Sequence, residues 1–367
     1  AAMSVLNTGN NNVVAVLNKG GNGEDAQILT ILNADSKAHT VTLPEGEWNV
    51  YVNKADAGTE VLATVSGTVS VESTSAMILI KAEEQTEYVK WYSGTTSLNG
   101  TIDLNMYVLL GEKLVNDPNT FVRFTFQNRI VDVPMVDALH APLANYPNRY
   151  RFSCPMFAKQ VADQVIVQVM NGNAPVGDPI GYSVMQYCNN RIKKSTNANE
   201  VAMCKGLLNY ATAAQMYFNY NTSNLANASL SDADKRLEKP DLSAHKYSIT
   251  GEEPGIKAKS ATVTMESEIR IRVYFILTGS KSIEDYTFTI DGVEVQPRYN
   301  DKGWYIESEG IAAKHMEVMH DFCVGGITVR YSALSYVNSK LSSKDPLEVE
   351  LAKALYAYYA SAEAFLG

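Results

Sequence analysis

At 367 residues the chain is too long for one ordinary hydrophobic core and fits three modules of about 100 to 150 residues. A formal net charge of −9 with no basic stripe argues against nucleic acid, whose phosphates call for clustered Lys and Arg. The longest apolar runs, such as Ala76-Met-Ile-Leu-Ile80, have the length of a strand and fall short of the roughly 18 to 20 residues that span a bilayer, so no membrane partner is expected. Ala1-Ala-Met-Ser4 lacks a basic region followed by an apolar one, and the sequence is therefore expected to be a fragment whose signal peptide is absent.

Residues 13–82 read as short alternating strands at Val13–Leu17, Gln27–Asn33, His39–Leu43, Glu47–Val52, Glu60–Thr64, Gly67–Val71 and Ser75–Ile80. Turn signals follow nearly every one, as in Asn18–Asp25 and Leu43-Pro-Glu-Gly46, and this rhythm predicts a β-sandwich. Trp48, Val50 and Val52 share one face, so Trp48 is expected in the core.

The wording of this stretch carries a resemblance. Ile31-Leu-Asn-Ala-Asp35, Leu43-Pro-Glu-Gly-Glu-Trp-Asn-Val-Tyr-Val52, Ala57–Val71 and Ser75-Ala-Met-Ile-Leu79 resemble, in order, the C-terminal β-sandwich that follows the catalytic barrel of type I pullulanases, in glycoside hydrolase family thirteen. In that family the barrel holds the aspartate nucleophile, the glutamate acid and the second aspartate. All of these would lie upstream of residue 1, so no catalytic position is carried over. The resemblance implies the tail of a secreted or cell-surface enzyme acting on α-glucans.

After a polar bridge at residues 83–97, a segment occurs twice. Tyr182-Ser-Val-Met-Gln-Tyr187 and Glu200–Phe218 return as Tyr331-Ser-Ala-Leu-Ser-Tyr336 and Glu348–Leu366. The opening strand Thr101–Leu110 matches Glu268–Leu277, and Tyr150–Lys159 matches Tyr305–Lys314, which sets Trp304 against Arg149. Each copy is thus expected to be β-rich and to close on a helix pair. Ser183 with Gln186, Ser332, Asn197 with Glu200, and Asp345-Pro346 with Glu348 mark the helix starts. Val201, Cys204, Leu207, Leu208, Ala211 and Phe218 form an apolar stripe, matched by Val349, Ala352, Leu355, Tyr356, Tyr359 and Leu366, and the long helix is expected to dock on its sheet. The ending Leu207–Asn227 resembles an uncharacterised module of secreted and surface proteins of Gram-positive gut bacteria, a family without assigned catalytic residues. The expected organisation is mainly β and multidomain: a sandwich at 1–84, a first repeat unit at 85–225, a linker at 226–246 and a second unit at 247–367, each unit a β-sandwich-like sheet plus a C-terminal helix pair.

Chemistry-bearing residues are sparse. Glu83-Glu84 and Glu252-Glu253 read as solvating charge in linkers rather than paired catalytic carboxylates. His39, His140, His245, His315 and His320 follow no ligand pattern, and no metal or cofactor is expected. Asn18–Asp25 and Asn300-Asp-Lys-Gly303 are oxygen-rich but lack the spacing of a calcium loop, and read as turns. Cys154, Cys188, Cys204 and Cys323 show no C-x-x-C spacing. Cys188 and Cys204 align with Val337 and Ala352, as small buried positions would, while a bridge between these two stays open because its geometry is not legible in sequence.

Aromatic residues are the feature that could carry binding, since an exposed ring stacks on the apolar face of a glucose unit. Trp304 and Tyr299, close together around a hairpin loop, are the first candidate. Trp91 and Tyr92 are the second, and as strand neighbours they face opposite ways, so at most one ring is expected outside the core. The sequence thus reads as a non-catalytic, extracellular accessory region of a pullulanase-like enzyme that supports the upstream barrel and binds starch or pullulan. The alternative is attachment to a cell-surface protein without glycan affinity, through an apolar patch at the helix pairs. An enzyme in its own right is the third reading and needs a cleft with perturbed carboxylates.

Overall fold

The computed structural model describes residues 2–21, 24–81, 88–98 and 101–367. The boundary expected at residue 84, the Glu83-Glu84 pair and the centre of the Asn18–Asp25 turn lie outside these residues. The chain divides into two compact units, residues 1–88 with 111–116, and residues 89–110 with 117–367. Among the described residues no helix is long and apolar enough to cross a membrane.

In the first unit β1 (Ala2–Leu6), β2 (Val13–Gly21), β3 (Glu24–Asn33), β4 (His39–Val52), β5 (Ala63–Val71) and β6 (Ser75–Lys81) form one antiparallel sheet in the order β1-β2-β3-β6-β4-β5. Short strands expected on either side of Pro44-Glu45-Gly46 are a single β4, and of those expected at Glu60–Thr64 and Gly67–Val71 the end of the first runs through Val65-Ser66 into the second as β5. The β4–β5 ladder passes from Thr42 opposite Thr68 to Glu47 opposite Ser66, so Leu43-Pro44-Glu45-Gly46 forms a bulge across from Gly67, with Leu43 in the core. Gly46 at φ +108° and Gly67 at +70° supply backbone that a side chain would strain. The expected sandwich is thus one continuous six-stranded sheet, and the bulge is a corner of the kind that lets such a sheet bend. Trp48 fills the inside of the corner, fully buried, and its Nε1 donates to Pro44 O at 3.0 Å. Ala15, Leu29, Ile31, Val41, Val71 and Leu79 complete that core.

A buried asparagine locks the far end. Asn33, 2% exposed, donates through Nδ2 to the carbonyls of Lys37, Val71 and Glu72 at 2.9 to 3.0 Å, and its Oδ1 accepts from Asp35 N at 2.9 Å. It ties the β3–β4 connection to the β5–β6 turn.

The second unit has two halves. The first holds β7 (Val89–Ser97), β8 (Asp103–Leu110), β9 (Thr120–Thr125), β10 (Ile130–Pro134), β11 (Leu139–His140), β12 (Arg149–Pro155), β13 (Val165–Asn171) and β14 (Ala174–Tyr182), then α2 (Val184–Lys194) and α3 (Ala198–Tyr217). The short α1 (Glu112–Asn116), between β8 and β9 in sequence, falls within the residues of the first unit. After α4 (Asp232–Lys235), the second half runs through β15 (Ser248–Thr250), β16 (Ile256–Met265), β17 (Ile269–Leu277), β18 (Phe288–Ile290), β19 (Val293–Val295), β20 (Arg298–Asn300), β21 (Gly303–Glu307), β22 (His320–Val324), β23 (Ile327–Tyr331), α5 (Ala333–Lys340) and α6 (Pro346–Leu366). The sheets are β11-β12-β8-β7 and β10-β9-β13-β14 in one half, β20-β21-β17-β16 and β19-β18-β22-β23-β15 in the other. Strand order is therefore the same in both, apart from the added β15. Leu104, Met106 and Val108 point inward from β8 as Ile271, Val273 and Phe275 do from β17.

The helices begin at the expected caps. Ser183 Oγ accepts from Gln186 N, Asn197 from Asn199 N and Glu200 N, Ser332 from Ser335 N, and Asp345 from Leu347 N. The long helices differ from expectation in what they cover: the main neighbour of α3 is α6 rather than a sheet. They cross antiparallel, with Asn199 Nδ2 donating to Ala364 O at 2.8 Å and the rings of Tyr210 and Tyr358 stacked at 5.5 Å. A Cβ on Gly206 would lie 3.2 Å from Ala357 O and 3.3 Å from Tyr358 Cα, so the absence of a side chain there sets how closely the backbones approach. The segment between the halves is docked on α3 through Lys205–Asp234 at 2.7 Å and Asn209 Nδ2 to Asp234 O at 2.8 Å, with Ala226 buried beneath it.

Two measurements check this architecture. Asn33→Asp keeps the size of the side chain but turns an acceptor toward three carbonyls; it is expected to cost the first unit about 2 to 3 kcal/mol, read as a lower urea midpoint, and an unchanged midpoint would mean that the latch contributes little. Gly206→Val gains roughly 0.5 kcal/mol of helix propensity but overpacks the helix contact at a cost of about 1 to 3 kcal/mol. The melting temperature of the second unit should fall, whereas a rise would show that the helices have room to spare.

Candidate glycan-contacting surface

Tyr299 and Trp304 face each other across the β20–β21 hairpin, with their rings edge to face at 5.1 Å and 65°. Trp304 pairs with Phe275 and is in phase with the buried Ile306, so its ring is half-buried at the lip of the sandwich. Tyr299 stands out from it at 67% exposure. The hairpin oxygens serve the turn: Asn300 Oδ1 accepts from Lys302 N at 2.9 Å and its Nδ2 donates to Tyr274 Oη at 3.1 Å, while Gly303 takes φ +120°. This rigid loop presents one free ring braced by another, an arrangement suited to stacking against the C–H face of a sugar.

The ladders also revise the alignment. Tyr150 pairs with Val108 as Trp304 pairs with Phe275, and Val108 and Phe275 occupy the same inward position of β8 and β17. Trp304 therefore corresponds to Tyr150 and not to Arg149. The one-residue difference falls between these strands and the following turns at Ala158–Gln160 and Ala313–His315, and a slip of one residue exchanges the two faces of a strand.

In the first half Trp91 and Tyr92 part company. Trp91 pairs with Val108, and its Nε1 donates to Asp178 O at 2.9 Å, fastening β7 to β14 of the other sheet. The β7–β8 register shifts at Tyr92, so this ring bulges outward, 43% exposed. It meets Tyr146 edge to face at 5.3 Å. The Arg149 guanidinium lies 4.9 Å from the Tyr92 ring centre and 4.8 Å from that of Tyr107, and its Nε donates to Ala141 O at 2.6 Å. Leu139 and Leu143 add exposed apolar surface nearby in sequence. The result is a platform of rings around a fixed cation with unused donors, which can combine stacking with hydrogen bonds to hydroxyls. Tyr107, Tyr146 and Arg149 escape a reading by periodicity. Tyr146 was nevertheless marked by its setting in Pro142-Leu-Ala-Asn-Tyr-Pro-Asn148, a turn-rich segment with no strand phase to bury it.

Ring contacts hold each group within its own half, so the four nominated aromatics form two places rather than one. A cavity of about 300 Å³ in the second half is lined by Ile290, Asp291, Val293, Glu307, Glu309 and His320. Two of its carboxylates are already engaged: Asp291 Oδ2 lies 2.6 Å from His320 Nδ1, and Glu307 pairs with Arg272 and Arg298. Burial opposes ionisation of Asp291, but hydrogen bonds from His320 and from Asp321 N–H prevail and keep its carboxyl below the usual range.

Residues 1–56 match the family of the pullulanase all-beta domain. The match takes in β1 to β4, with Asn33, the Leu43–Gly46 bulge and Trp48, and stops short of β5 and of Val71 and Glu72, to which Asn33 donates. It begins ahead of the resemblance noted from residue 13. Both aromatic groups lie outside it.

Trp91→Phe keeps a ring against Val108 but removes the tie to Asp178. It should cost about 1 kcal/mol of stability and speed amide exchange at the β14 edge; unchanged exchange there would mean that the indole N–H does not hold the two sheets together.

Proposed function

We propose that the chain is the non-catalytic accessory region of an extracellular pullulanase-like enzyme. The first unit supports an upstream catalytic barrel, and the second holds α-glucan, starch or pullulan, on its two aromatic surfaces. The observation that carries the assignment is the pullulanase-type β domain at residues 1–56 in one chain with an exposed, braced Tyr299–Trp304 pair. A soluble glucan chain offers alternating apolar faces and hydroxyls, and a protruding ring beside fixed donors is complementary to it. The stacking of Tyr210 on Tyr358 between α3 and α6 removes part of the apolar surface on which the competing reading, attachment to a cell-surface protein, drew.

Affinity electrophoresis in gels containing amylopectin, pullulan or an unrelated glycan tests the proposal. Retardation by the α-glucans alone is expected. A ring–sugar contact worth on the order of 1 kcal/mol predicts that Tyr299→Ala, Trp304→Ala and Tyr92→Ala each weaken the apparent affinity roughly three- to tenfold. Unaltered mobility in every gel would overturn glycan binding and leave a protein partner.

A further inference from the structure

Cys188 in α2 and Cys204 in α3 are both buried, at 0% and 2% exposure. The two helices form a hairpin whose register is clamped beside them: Arg191 Nε and Nη2 donate to Glu200 Oε1 and Oε2, each at 2.6 Å, and Ser195 Oγ donates to Glu200 Oε2 at 2.5 Å. Cys188 lies one turn before Arg191 and Cys204 one turn after Glu200, so the clamp brings the two buried thiols to the same level of the hairpin. The equivalent positions of the second half, one turn before Lys340 and one turn after Glu348 of its own ion pair, are Val337 and Ala352, both fully buried. Against that apolar pair, both members of the contact are cysteine here, where a single cysteine would have served as a space-filler. The other two cysteines sit apart in strands, Cys154 in β12, pushed up to about 12 by burial, and Cys323 in β22 beside Thr328.

We propose that Cys188 and Cys204 are a disulfide-forming pair that cross-links α2 to α3. The thiolate of one attacks one sulfur of a small-molecule or protein disulfide, R–S–S–R, and expels RS⁻. The other then loses its proton and displaces the second RS⁻ from the mixed disulfide. Two thiols are oxidised to one bridge, and one R–S–S–R is reduced to two RSH. Both sulfurs are covered in the folded protein and Tyr358 of α6 neighbours them, so exchange takes place while the hairpin forms. The compartment that supplies the oxidant rests on the extracellular reading above; the pairing does not.

The test refolds the full chain in a mixture of oxidised and reduced glutathione, quenches with acid, and alkylates the denatured protein with iodoacetamide before and after reduction. Of the four cysteines, Cys154 and Cys323 alone should be alkylated before reduction, with a Cys188–Cys204 peptide pair lighter by two hydrogen atoms. Dithiothreitol should lower the urea midpoint of this protein and leave unchanged that of the Cys188→Val, Cys204→Ala double variant, which carries the residues of the second half at this contact. Alkylation of all four cysteines after refolding, or a bridge to either strand cysteine, would overturn the pairing. A pair that closes in glutathione yet is reduced in protein isolated from its own cells would sustain the pairing and overturn the extracellular assignment.

Discussion

The approach of α3 to α6 is the contact on which the second unit depends. Each half has its own two sheets and inward-facing residues, but its long helix is apolar on a face that its sheets do not cover. Burying a stacked Tyr210–Tyr358 pair and bringing backbone to within van der Waals distance at Gly206 satisfies both helices at once, because interiors pack to the density of a crystal and a gap the size of one side chain is felt. The halves therefore act as one body. The two aromatic groups proposed to bind glycan gain a common frame, with Tyr299 and Trp304 on one half and the Tyr92, Tyr146 and Arg149 group on the other.

Sequence patterns exposed much of the fold because they reflect local chemistry. Helix starts were legible residue by residue, since Ser183, Asn197, Ser332 and Asp345 each satisfy backbone N–H groups that the helix itself leaves open. Alternation placed Trp48 inside. What stayed hidden is set by partners distant in sequence. An apolar stripe shows that α3 is covered, and carries no information on whether a sheet or another helix covers it. Pro44-Glu45-Gly46 looks like a turn until the ladder with β5 shows it bulging within one strand.

The candidate site shows the same division. Tyr299 and Trp304 were found because a short hairpin brings neighbours in sequence together. Arg149 and Tyr146 were not, because a guanidinium between two rings requires three strands and a loop to converge. Aligning Trp304 with Arg149 rather than Tyr150 illustrates the limit: matching letters fixes a position only to within a residue, while the face of a strand changes with every residue.

The corner at Gly46 and Gly67 reaches beyond the core that it closes. Among the described residues β5 is an outer strand of its sheet, paired on one side only, and a flat strand rich in Val and Thr is a template for joining another chain. Gly67 interrupts that strand midway, at the point where its partner bulges, so neither side of the kink offers a long straight ladder to a second molecule. The residues that interrupt the ladder beside Trp48 thereby also shorten the straight edge with which a second chain could pair.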